Sequence, residues 1–139
     1  MITRTLALAA VTTLVFTASA AAATPKPYSG ASTNKKIYVY GDTDARTDHG
    51  KVTFLGGSKA VTKFKLKGQG FMCGASPAEI PVAVAKIKLN SSGKGKATYT
   101  DPNVGAFKIK ITVRNGKSSG TITPTGLCSG KVTFSAKRK

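Results

Sequence analysis

Acidic residues are the scarcest charged type in this chain: 5 Asp plus Glu stand against 22 Lys plus Arg, for a formal net charge of +17. Tryptophan is absent, and histidine occurs once, as His49. With a single histidine and no GxSxG, HExxH or glycine-rich phosphate loop, the usual nucleophile–base sets, zinc sites and nucleotide cradles have no residues to be built from. Asp48 lies beside His49 in sequence, but neighbours in sequence do not form a base and its orienting group, so His49 is expected to be an exposed loop residue and the chain not to be an enzyme. Cysteine is limited to Cys73 and Cys128, with no CxxC and no Cys/His ligand set. That excludes structural zinc and favours a single disulfide. Helical periodicity is missing after the first two dozen residues, as is any later apolar run long enough to cross a bilayer.

The N-terminal residues 1–23 have the layout of a secretory signal. Arg4 supplies the positive start, Leu6 to Phe16 the apolar run, and Ala18-Ser19-Ala20 or Ala21-Ala22-Ala23 the cleavage box. Cleavage after Ala20 or Ala23 leaves a chain near the commonest single-domain size. In an exported chain, a Cys73–Cys128 bridge would remove denatured-state entropy worth roughly 4 kcal/mol in the chain-entropy model.

What is abundant is two-residue alternation. In residues 105–114, Phe107, Ile109, Ile111 and Val113 share one face and Lys108, Lys110, Thr112 and Arg114 the other. Asn115-Gly116 then offers the two positive-φ positions of a type I′ turn into a return strand carrying Gly120 and Ile122. Residues 60–67 repeat the pattern, with Thr62, Phe64 and Leu66 expected inward and Lys63, Lys65 and Lys67 outward. Residues 51–54 form another strand. In residues 82–89 the alternation changes phase before Ile87 and Leu89 settle inward opposite Lys86 and Lys88, which a bulge near Ala85 would explain. Residues 94–100 set Ala97 and Tyr99 against Lys94, Lys96 and Thr98, and Asp101-Pro102-Asn103 breaks the strand. Val132, Phe134 and Ala136 align with Cys128 in a last strand over residues 131–136.

Residues 24–36, rich in Pro, Gly, Ser and Thr, read as a flexible arm. Residues 37–40 read as the first strand and 41–50 as a polar loop, while the segment between Pro77 and Pro81 reads as a loop. Residues 137–139 form a basic tail expected to fray. About 7–8 short strands with regular turn signals predict an all-β domain over residues 37–136, an antiparallel β-sandwich or flattened barrel with one disulfide between sheets or from strand to loop.

The order of these features resembles small secreted all-β proteins of soil actinobacteria. The resemblance rests on Tyr38 to Gly41, Lys51 to Phe54, Val61 to Phe64 leading to Cys73, Gly105 to Phe107, Ser119 to Ile122, and the close C-S-G-x-V-x-F-x-A from Cys128 to Ala136. It implies a fold and an exported compartment and no reaction. The chain departs from that pattern in its high basicity and in the acid-rich loop Asp42 to Asp48.

Two constellations remain. Asp42, Asp44 and Asp48 gather three of the five acids and offer oxygen ligands for calcium. Arg46, Thr47 and Thr53, however, occupy places where an EF-hand needs an acid or amide, Gly and Glu, so turn-forming aspartates are expected and no metal or cofactor. The lysine ladders (Lys63, Lys65, Lys67; Lys86, Lys88; Lys108, Lys110, Arg114) space charges about 7 Å apart, inside the Debye length of about 8 Å, with no acid in the same strand. Such faces either attract an anionic polymer, of a cell envelope or matrix, or merely solvate the sheet and discourage edge pairing. The expected function is therefore non-catalytic polyanion binding by an exported monomer, with a structural or inhibitor-like module that binds a protein partner through its loops as the alternative. Asn90-Ser91-Ser92 fits a glycosylation sequon but sits where a turn favours Asn anyway.

Overall fold

The alternation in residues 105–114 becomes the longest strand of the computed structural model, which describes residues 24–34 and 48–139. The strands are β1 Lys26–Thr33, β2 His49–Gly56, β3 Ala60–Lys67, β4 Gly70–Cys73, β5 Ser76–Glu79, β6 Val82–Lys88, β7 Lys94–Asp101, β8 Gly105–Arg114, β9 Lys117–Pro124, β10 Cys128–Ser129 and β11 Val132–Arg138. As expected, Asn115 (φ 53°) and Gly116 (φ 74°) both take the left-handed conformation and set Arg114 opposite Lys117. Asp101 Oδ1 accepts from the amides of Asn103 (2.8 Å) and Val104 (3.2 Å), ending β7. Asn90 Oδ1 accepts from Ser92 (2.9 Å) and Lys94 (3.0 Å), so that Asn shapes the β6–β7 turn.

Eight strands form one antiparallel sheet in the order β6-β3-β2-β1-β11-β9-β8-β7. Its two ends are consecutive in the chain and are joined by the bridge Leu89↔Gly95, so the sheet curls into a nearly closed barrel rather than splitting into a sandwich. A small sheet, β10-β4-β5, docks on the same core through Phe71, whose ring meets Phe107 edge-on at 4.9 Å. Inside the barrel, rings run in contact from Tyr28 to Phe54 (4.8 Å), Phe54 to Phe64 (6.1 Å) and Phe64 to Phe134 (5.5 Å). Ile109, Ile111, Ile122, Val52, Val61 and Leu66 fill the space between them. Burying one such side chain contributes about 1.5–3 kcal/mol.

Cys73 and Cys128 are bonded, as the cysteine count implied. They face one another on paired strands β4 and β10 of the small sheet instead of linking sheets or tying a strand to a loop.

The largest correction concerns residues 24–36. Lys26–Thr33 is no arm but β1, laddered to β2 on one side and β11 on the other. Its weak strand-forming composition is overridden by its neighbours. Tyr28 is buried against Phe54, and Ser32 Oγ donates to Gln69 Oε1 at 2.7 Å. Gly30 leaves room for the β11 backbone, since a Cβ there would run into the Ser135 carbonyl. Nor do residues 137–139 fray. Lys137 pairs with Lys117 and Ser29, and Arg138 with Tyr28. The amides of Arg138 and Lys139 donate to the carbonyls of Gly116 and Pro27, both at 2.9 Å. The segment around Pro77 is the hairpin β4–β5 rather than a loop.

In β3 it is Val61, not Thr62, that is buried with Phe64 and Leu66. Lys63 takes φ 52°, and β3 holds one extra residue against β2 between Thr53 and Leu55. The phase change expected near Ala85 is present: Val82 and Ile87 are buried while Ala85 and Lys86 are exposed. However, β3 makes the same change beside it, so those two strands stay in register and the shift falls between β2 and β3. The expected signal (1–23), the strand at 37–40, Asp42 and Asp44 lie outside the described residues. The amide of Asn34 donates to the Asp48 carbonyl at 2.8 Å.

Candidate functional site: a basic trough on the barrel wall

Because strands alternate, residues facing outward on neighbouring strands line up in rows across the sheet. One row reads Lys94–Thr112–Ser119–Ser135–Ala31–Lys51–Lys67, and the next Lys96–Lys110–Thr121–Thr133–Thr33–His49. On the other side of the first lies Arg114–Lys117–Lys137–Ser29–Thr53–Lys65. Like charges therefore face each other directly at Lys96↔Lys110, Lys51↔Lys67, Arg114↔Lys117 and Lys117↔Lys137. Facing Cβ atoms are about 5 Å apart, and because the charges sit at the ends of flexible stems that spread apart, the ~0.8 kcal/mol of two unit charges ~5 Å apart in water is an upper bound on the repulsion.

No described acid forms an ion pair with any of these residues. Among the described residues the one carboxylate in contact with a basic side chain is Asp48, whose Oδ1 lies 3.3 Å from Nδ1 of the exposed His49, and no lysine or arginine reaches a carboxylate. No group of three His, Cys, Asp or Glu that could hold a metal occurs among the described residues. Asp48, the one described member of the candidate calcium loop, contacts His49 instead.

Over the outward face of β7, β8, β9 and β11 lies an open trough of about 1120 Å³. Lys94, Lys96, Lys108 and Lys110 form a bank along one side, joined by Lys88 and Lys131, and Thr112, Ser119, Thr121 and Thr133 form the floor. A smaller hollow of about 280 Å³ continues past Ser135 and Ala31 toward Lys117 and Lys137. Among the described residues no Asp, Glu, His or Cys lines either hollow.

The structure thus brings Lys88, Lys108 and Lys110 of the sequence-derived ladders into one trough. Lys63, Lys65, Lys67 and Lys86 lie outward on β3 and β6 and do not line it, nor does Arg114, which faces Lys117 outside the trough. Sequence reasoning did not single out Lys94, Lys96, Lys117, Lys131 and Lys137. The alternation of β7 already set Lys94 and Lys96 outward, but only strand register places Lys96 opposite Lys110.

The fold and the trough define a class: an antiparallel, nearly closed β-barrel, stapled once by a disulfide, with an unneutralised cationic wall. Compared with protein-family models, with curated proteins and with solved structures, the chain matches none. Among the described residues no helix is long and apolar enough to cross a membrane.

Proposed function

We propose that the protein is an exported, non-catalytic binding protein that holds anionic polymer of a cell envelope or extracellular matrix against the lysine-lined trough. The observation that carries this reading is Lys96 directly opposite Lys110 on the trough wall, with no carboxylate in contact with either and no acid among the described residues that line the trough. A sheet selected only for solubility gains nothing from facing like charges, whereas a polyanion laid across them relieves the repulsion and releases its counterions. Export rests on the signal-like N-terminus and on the resemblance to secreted actinobacterial proteins, and the disulfide is compatible with it. The test is salt elution from immobilised heparin and teichoic acid. The Lys96→Ala/Lys110→Ala double variant, folded by circular dichroism, should elute at clearly lower salt than wild type, and unchanged elution would refute the assignment.

One observation favours the second reading, a module that binds a protein through its loops. Leu127 is 65% exposed on a loop held by the amides of Thr125 and Leu127 bonding to Ala106 and Val104. Under that reading a single protein is captured at high salt, and Leu127→Ser abolishes capture.

A further inference from the structure

The floor of the trough carries chemistry that the lysines do not. Thr112, Ser119, Thr121 and Thr133 point outward from three adjacent strands, and Ser135 extends the row. Among the described residues none of their hydroxyls is used in a hydrogen bond within the protein. They are donors in a fixed grid, about 4.8 Å apart across strands and about 7 Å apart along one. Lysines flank this grid: Lys96 and Lys110 line the trough, and Lys117 and Lys137 lie one row beyond Ser119 and Ser135, lining the smaller hollow. Among the described residues no exposed aromatic ring lies on this floor; Phe134 reaches it only beneath Gly120, at 4% exposure. Stacking of bases or of sugar rings, the common source of affinity for nucleic acid and glycans, therefore finds no platform among the described residues.

We infer that the trough is a site for a ring-free phosphodiester polymer of the polyol-phosphate type, lying across β8, β9 and β11 with its phosphate oxygens accepting from the Ser and Thr hydroxyls and its charge shared between the two lysine banks. The inference rests on the polyanion-binding reading and adds to it the ligand chemistry and the residues that select it. A phosphodiester presents two unesterified oxygens at each charge and one charge per polyol unit. Hydroxyl donors to a charged acceptor form the stronger class of hydrogen bond. Lysine supplies a point charge that does not distinguish phosphate from carboxylate.

The test uses the full mature chain and four probes of matched charge number: poly(glycerol phosphate), polyglutamate, heparin and single-stranded DNA, titrated at physiological salt. Poly(glycerol phosphate) should bind about tenfold more tightly than each of the others. The charge-conserving Ser119→Ala/Thr121→Val/Thr133→Val variant should lose most of that preference while its polyglutamate affinity changes less than twofold. Valine suits strand positions, and circular dichroism and thermal melting confirm the fold. If the triple variant keeps the preference, or if wild type binds DNA or heparin as tightly as poly(glycerol phosphate), the hydroxyl-floor assignment is wrong, although polyanion binding stands. If wild type binds none of the four, the polyanion reading itself fails.

Discussion

If the trough holds a polyanion as proposed, stability and binding pull in opposite directions at Lys96. Its Cβ faces that of Lys110 across the β7–β8 ladder, so Lys96→Glu turns a like-charge pair into an opposite-charge pair. Cross-strand pairs of this kind differ by roughly 0.2–1 kcal/mol. The variant is expected to unfold at higher urea concentration than wild type, with an unchanged m-value, and to be retained less strongly on anionic matrices. A side chain serving only the sheet would show no such opposition: the glutamate would stabilise and retention would fall no further than for any other single charge reversal. Lys86→Glu, on β6 opposite Thr62 and away from the trough, provides that comparison. Equal losses of retention for Lys96→Glu and Lys86→Glu would mean that net charge, not the trough, holds the polymer.

Among the elements, β1 shows most clearly how neighbours decide structure. Its Gly30 packs against the β11 backbone at Ser135 and Ala136, where a side chain finds no space. Gly30→Val is expected to cost about 1–3 kcal/mol, as overpacking does, or to prevent folding altogether, measured by urea denaturation. A loose arm would absorb valine at no cost. The contrast between β1 and the β8–β9 hairpin explains what the sequence made legible. The hairpin was readable because each signal is local: alternation fixes the faces, and Asn115-Gly116 fixes the turn and hence the register. The cause of β1 is remote, in Phe54 stacking on Tyr28 and in a β11 backbone that approaches because Gly30 lets it. The inward placing of Val61 instead of Thr62 was likewise hidden, since a lysine at positive φ leaves no mark in composition. For the trough, the outward direction of Lys108 and Lys110 was legible. Its membership was not, because rows across a sheet depend on pairing among strands far apart in sequence.

For the whole molecule, the consequence of having 22 basic and 5 acidic residues depends on how the fold distributes them. Folding gathers lysines into facing pairs on a barrel wall, and unfolding separates them, so the repulsion counts against the native state. Salt at moderate concentration screens exposed charges over about 8–10 Å and relieves more repulsion in the folded chain than in the unfolded one. The melting temperature should therefore rise when sodium chloride is raised from low to physiological concentration, the reverse of what a surface held by ion pairs would show. A polyanion that engages the trough should raise it further. By linkage, a ligand at a hundred times its dissociation constant adds about 2.7 kcal/mol to the folded state if it does not bind the unfolded chain. The two effects separate in one experiment, since added salt weakens the ligand's contribution as it strengthens the intrinsic one. Melting curves across a salt series, with and without poly(glycerol phosphate), should therefore converge as salt rises. Parallel curves would mean that the ligand's contribution does not arise from the lysines.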